Sequence, residues 1–186
     1  MRTMIILTLS LLLKVSLFSQ TNAYEGCCGT QPYEYDVKLN SGTKVYVYIP
    51  NVFTPNADGK NDYFYPVFNN QIKFIEYLVI TNVYSSAKDS VIILHNVRNI
   101  TKDNVKETAW NGNDSNGNPY KGPFEYVAHC VTIDGESLIV KGRACAVVCG
   151  KDAGVLKNKD GCFYETQAEN GKLKKDKKND ENDCFN

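Results

Sequence analysis

Phe124-Glu-Tyr-Val-Ala-His-Cys-Val-Thr-Ile-Asp-Gly-Glu-Ser-Leu-Ile-Val-Lys-Gly-Arg-Ala-Cys-Ala-Val-Val148 decides the fold. Phe124, Tyr126, Ala128, Cys130 and Thr132 alternate with Glu125, Val127, His129, Val131 and Ile133. That period of two belongs to a strand with one face buried. Asp134-Gly135 then predicts a two-residue hairpin turn of the primed type, and the chain returns through Leu138 and Val140 towards Val148. In that register Ile133 faces Glu136, Cys130 faces Ile139 and Phe124 faces Cys145.

Outward from this hairpin the same pattern recurs. Tyr33, Tyr35, Val37 and Leu39 share one face of a first strand, and Ser41-Gly42 turns the chain. Val45, Val47 and Ile49 share a face of the next, and Pro50 and Pro55 bracket a loop. Ile72–Tyr84 is rich in branched and aromatic residues, and Val91-Ile-Ile-Leu94 predicts a short buried run. No segment holds a helical apolar period, so the expectation is an all-β sandwich of about seven strands.

The chain has 186 residues, with 21 Lys+Arg balancing 21 Asp+Glu, which excludes a strongly basic nucleic-acid binder. Its 12 tyrosines favour strands, and its two histidines, His95 and His129, are too few for a His-rich metal centre. Arg2, the apolar Met4–Leu13 and Thr21-Asn22-Ala23 form an export signal at residues 1–23. The apolar stretch Met4–Phe18 contains Lys14 and is too short for a membrane span, so no span is expected in the mature chain. A Cys/Gly-rich lead (24–32), a β domain (33–149) and a lysine-rich polar tail (150–186) follow.

Seven cysteines fit an exported, oxidised protein. Cys145 and Cys149 point the same way along one strand, too far apart to bridge each other. Their partners come from Cys27, Cys28, Cys162 and Cys184, and Cys130 is the candidate free thiol. These six allow 15 connectivities. Such bridges would tie down a tail whose mixed charge otherwise reads as solvated and mobile.

Two loops are distinctive. The first is Ile49-Pro50-Asn51-Val52-Phe53-Thr54-Pro55-Asn56-Ala57-Asp58-Gly59-Lys60-Asn61-Asp62-Tyr63-Phe64. The second is Trp110-Asn111-Gly112-Asn113-Asp114-Ser115-Asn116-Gly117, followed by Tyr120-Lys-Gly-Pro-Phe-Glu-Tyr126. Together they resemble the gliding-motility-associated C-terminal domain, the type B sorting domain of the Bacteroidota type IX secretion system. Ile80-Thr-Asn-Val-Tyr-Ser85 stands where that family has an "NRWG" segment. The resemblance covers about residues 45–142. It implies an exported Ig-like β-sandwich, secreted or on the cell surface, that meets export or surface machinery through protein contact.

Asn56, Asp58, Asn61 and Asp62 are oxygen donors of the sort calcium takes, and equally residues that cap their own turns. Counting from Thr54, the bidentate Glu of an EF-hand falls on Tyr65, so this is no EF-hand. Asn113, Asp114 and Asn116 carry the same two readings. Trp110, the only tryptophan, is expected in the core. His129 and Cys130 point to opposite faces of one strand, so they form no dyad and no catalytic residue is expected. The second reading is a stand-alone adhesin-like protein that binds carbohydrate or a partner on the sandwich as scaffold.

Overall fold

The computed structural model describes residues 22–29, 32–83, 90–157, 159–179, 181 and 184–185. The hydrophobic stretch of the expected export signal and Tyr84-Ser85 lie outside these.

The protein is all-β, with two sheets packed on one core. The strands are β1 (Tyr33–Lys38), β2 (Lys44–Ile49), β3 (Val52–Phe53), β4 (Val67–Phe68), β5 (Ile72–Asn82), β6 (Ile93–Ile100), β7 (Gly122–Thr132) and β8 (Ser137–Ala146). One sheet runs β1-β2-β4, the other β3-β8-β7-β5-β6. All pairs are antiparallel except β3 with β8, which run parallel. Two further short strands, β9 (Ala168–Glu169) and β10 (Lys172–Leu173), pair in the tail. The core lies between the sheets, with Val45, Val47 and Ile49 facing Ile75, Leu78, Ile80, Phe124, Tyr126, Ala128 and Val140.

The β7–β8 hairpin corrects the expected register by one residue. Cys130 faces Leu138, Phe124 faces Ala144, and Cys145 faces Pro123. The connection has three residues, not two: Thr132 N–H donates to Glu136 O at 2.9 Å, Gly135 N–H to Thr132 O at 3.1 Å, and Gly135 takes φ +82°. A type I turn closed by a left-handed glycine is the standard three-residue hairpin. The shift has a packing cause. Facing residues share a side of the sheet, so buried Cys130 needs a buried partner, and Leu138 is inside while Ile139 is 62% exposed.

Val91, Ile92 and Ile93 are also corrected. They are half-exposed, and only Leu94 of that run is buried. β6 is an outer strand of its sheet, with β5 its one strand neighbour among the described residues.

The tail is not a loose appendage. Lead and tail build a second core from Tyr24, Cys27, Cys28, Val52, Cys145, Val147, Ala153, Leu156, Tyr164 and Cys184. Three disulfides cross it: Cys27–Cys145, Cys28–Cys162 and Cys149–Cys184. Cys130 is the free, buried cysteine among the described residues. The Tyr24 hydroxyl donates to Val148 O and accepts from Val148 N–H, both at 2.9 Å. Farther on, β10 lies against β2, where Lys172 Nζ sits 3.8 Å from the Tyr46 ring centre. The Tyr48 hydroxyl donates to Tyr164 O at 3.1 Å. Strand β2 is therefore covered on both faces, by the core on one and the tail on the other.

Candidate functional site

Both distinctive loops come to one end of the molecule. Phe64 and Trp110 exchange backbone hydrogen bonds, N–H to O at 2.9 and 3.1 Å. This bridge turns Phe64 inward. It packs edge-on to Phe124 at 4.8 Å between ring centres, and Trp110 does the same at 4.9 Å. Trp110 is 2% exposed, and its Nε1–H donates to Asn113 O at 2.7 Å. Phe53 completes the aromatic cluster. Gly112 is required here: at φ +81°, a Cβ would stand 2.6 Å from Pro55 Cγ, so the loops touch through a position no side chain can occupy.

In the first loop Asp62 organises the turn. Its carboxylate accepts the N–H groups of Asn56 (3.0 Å), Ala57 (2.5 Å) and Gly59 (2.7 Å). Asn56 Oδ1 accepts Asp58 N–H, and Asp58 Oδ1 accepts Lys60 N–H. The oxygens of Asp62 thus face their own backbone. Among the described residues no three His, Cys, Asp or Glu side chains come together as a metal-ligand group. The side chain of Asn61, the fourth oxygen donor of that loop, bonds into the tail instead of to its own turn. The second loop is built alike: Asp114 Oδ1 accepts Asn116 and Asn118 N–H at 2.9 and 2.8 Å, and Asn111 Oδ1 accepts Asn113 N–H. The Asn118 N–H above all holds the Asp114 carboxyl below its ordinary value. Asn116 and Gly117 complete that turn at the surface.

Two motif asparagines do something their sequence context hides. Asn51, 1% exposed, donates from Nδ2 to Gly161 O (2.7 Å) and accepts Phe163 N–H on Oδ1 (2.8 Å). Asn61, 2% exposed, donates from Nδ2 to Glu181 Oε1 (2.5 Å) and Asn179 O (3.2 Å), and accepts from the Thr166 hydroxyl (2.7 Å). Pro50, Thr54 and Pro55 fix the loop between them, with Thr54 buried and Pro55 packed on Gly112. Glu181, at 1% exposure, is a buried carboxyl of the tail. Burial raises its pKa, partly countered by Asn61, while Asp58 and Asp62 add to the rise. Thr54 Oγ1 lies close to this carboxylate without hydrogen-bond geometry, and among the described residues Glu181 Oε2 has no hydrogen-bond partner.

What remains open at this end centres on Tyr63, 49% exposed beside buried Phe64. A cleft of about 380 Å³ on one side is lined by Asp62, Tyr65, Lys106, Glu107 and Glu165. A second, of about 280 Å³, is lined by Pro55, Ala57, Asn111 and Asn113, and Tyr63 and Asp62 border both. The Tyr65 hydroxyl donates to Glu165 Oε2 at 2.8 Å, and burial raises the Glu165 pKa. Sequence reasoning passed over Tyr63 and Glu165. Tyr63 was legible, as the residue before an inward Phe on a strand-like bridge; Glu165 was not, since nothing local places the tail here.

The histidines lie elsewhere. His95 Nε2 meets Thr108 O at 3.0 Å, and burial lowers its pKa. His129 Nδ1 pairs with Glu76 at 2.5 Å on the outer sheet face. The Cys130 thiol is buried on the other side, its pKa pushed up to about 12 by burial. No helix among the described residues is long and apolar enough to cross a membrane. Comparison with family models, with curated proteins and with solved structures found no match.

Proposed function

We propose that the chain is an exported, non-catalytic contact module: an Ig-like sandwich, resembling the type B sorting domain, that acts at its motif-loop end on a surface ligand or partner. The observation that carries this is the convergence of two Asn/Asp loops on exposed Tyr63, with the tail locked beside them by Cys149–Cys184 and the Asn61–Glu181 contact. Three disulfides support an extracellular setting. The non-catalytic reading draws on the scattered histidines and a thiol too deeply buried to ionise at neutral pH.

The family resemblance implies a sorting role, in which export machinery reads the domain itself. One feature favours it as a second reading: Ala57, Asp58, Gly59 and Lys60 stay exposed at the tip of the first loop. The tail favours the stand-alone binding protein, because Asn51 and Asn61, both motif residues, are occupied by it. Secretion of the chain lacking residues 150–186 separates the two. The binding reading expects the truncated chain to be missing from the extracellular fraction, since it loses the second core. A truncated chain that accumulates outside the cell as well as the intact one overturns that reading and leaves the sorting role.

A further inference from the structure

We infer that the Tyr63 ridge and its two flanking clefts form a binding site for a neutral saccharide, one sugar ring stacking on the Tyr63 face. This rests on the contact-module reading and names its ligand class. The backbone exchange between Phe64 and Trp110 fixes the orientation: Phe64 goes into the aromatic core and Tyr63, its neighbour, goes out. Half the Tyr63 side chain is thereby held in solvent on a rigid support. An amphipathic ring held this way offers an apolar face at low entropic cost.

The groups around the ring select the ligand. On one side stand the amides of Asn111 and Asn113; on the other, Lys106, Glu107, and the Tyr65–Glu165 pair. Amides, an ammonium and carboxylates together donate and accept on both flanks of the ring. A sugar needs that mixture, since its hydroxyls do both while one face of its ring is C–H. The charge count argues against an anionic ligand. Asp62 turns its oxygens to three backbone N–H groups, and Glu165 accepts from the Tyr65 hydroxyl. With Glu107 these carboxyls outnumber the one ammonium, Lys106, so the clefts repel an acidic sugar and leave a neutral one. The cleft volumes, about 380 and 280 Å³, match small-ligand pockets at the lower end of their usual range. Exposure on both flanks suits a chain of sugars crossing the ridge better than one enclosed ring.

The test uses the intact, disulfide-bonded chain labelled with ¹⁵N. Cello-, xylo-, manno-, malto- and N-acetylchito-tetraose are titrated in turn, and amide shifts are followed. At least one is expected to give saturable shifts confined to Tyr63, Lys106, Glu107, Asn111 and Asn113. Tyr63→Ala is expected to weaken that binding about tenfold with an unchanged melting temperature, and Tyr63→Phe to keep it. Silence from all five sugars, shifts centred elsewhere, or unaltered affinity in Tyr63→Ala overturns the inference. Retention of the protein on the cells that make it is measured in parallel. Loss of retention in Tyr63→Ala despite a silent sugar panel sinks the saccharide and leaves the contact module standing; retention indifferent to Tyr63 counts against both.

Discussion

Cys27–Cys145 and Cys28–Cys162 span 118 and 134 residues, and their stabilities are predicted to be coupled. Taken alone, each bridge closes a loop of more than a hundred residues, for which unfolded-state entropy gives about 5 kcal/mol. They are not alone. Their ends are adjacent at Cys27 and Cys28 and only 17 apart at Cys145 and Cys162. With one bridge in place, the other closes a loop of roughly 20 residues, worth about 3 kcal/mol. Replacing either pair with alanine should therefore cost about 3 kcal/mol, and replacing the second pair about 5 more. The quadruple variant loses more than the two double variants together. Small cavities left by the sulfurs add to each variant separately and do not produce that excess. The assay is guanidinium unfolding followed by fluorescence of Trp110, the only tryptophan and a core residue. Sodium sulfate keeps the weakest variant folded at the start of the curve. Additive losses, or about 5 kcal/mol for each double variant, would refute the shared-loop reasoning.

Three further outcomes are expected. Asp62→Ala removes the acceptor of three backbone N–H groups in a half-exposed turn and should lower stability by about 1–2 kcal/mol in the same assay; a neutral result would mean that water replaces the carboxylate fully. Glu181 has a raised folded pKa, so the folded state holds its proton more tightly; its own contribution to stability is full at acid pH and is lost as pH rises from about 4.5 through the folded value. Glu181→Gln should flatten that fall in melting temperatures taken across pH 4–8 by roughly the amount that one group contributes, whereas an unchanged pH profile would locate the effect elsewhere. The Cys130 thiol, buried with its pKa pushed up to about 12, should resist iodoacetamide at neutral pH in the native protein and react on unfolding; rapid native labelling would contradict its placement.

The strand pattern was legible because each face of β7 and β8 has its own composition. Phe124, Tyr126, Ala128 and Cys130 are buried, as their alternation required. The register was legible too, though missed. The buried residues Cys130, Leu138 and Val140 all carry even numbers, and residues facing across a hairpin share a side. That parity demands an odd number of residues in the turn, against the two that Asp134-Gly135 invites. For Val91–Ile93 hydrophobicity misleads, because exposure depends on β6 being outermost, which only the topology shows. The tail was the least legible part. Its lysines face solvent, while the residues that dock it, Leu156, Tyr164, Gln167, Glu181 and Cys184, are spread thinly and non-periodically. One hint lay in β2, where Tyr46 and Tyr48 occupy the face away from the core; a strand apolar on both sides needs a second cover. Within the site, Asn51 and Asn61 look like turn residues, and only their long-range partners reveal them as anchors of the tail.

The central claim, that the tail is a permanent part of an exported binding protein, is tested most directly by the intact mass of the protein recovered from outside the cells that produce it. The expected chain starts near Tyr24, retains the tail through Cys184, is six hydrogens lighter than the reduced sequence, and carries a single alkylatable thiol after unfolding. A chain trimmed between about residues 142 and 150, or one with additional free thiols, would contradict it and return the motif loops to the sorting role that they resemble.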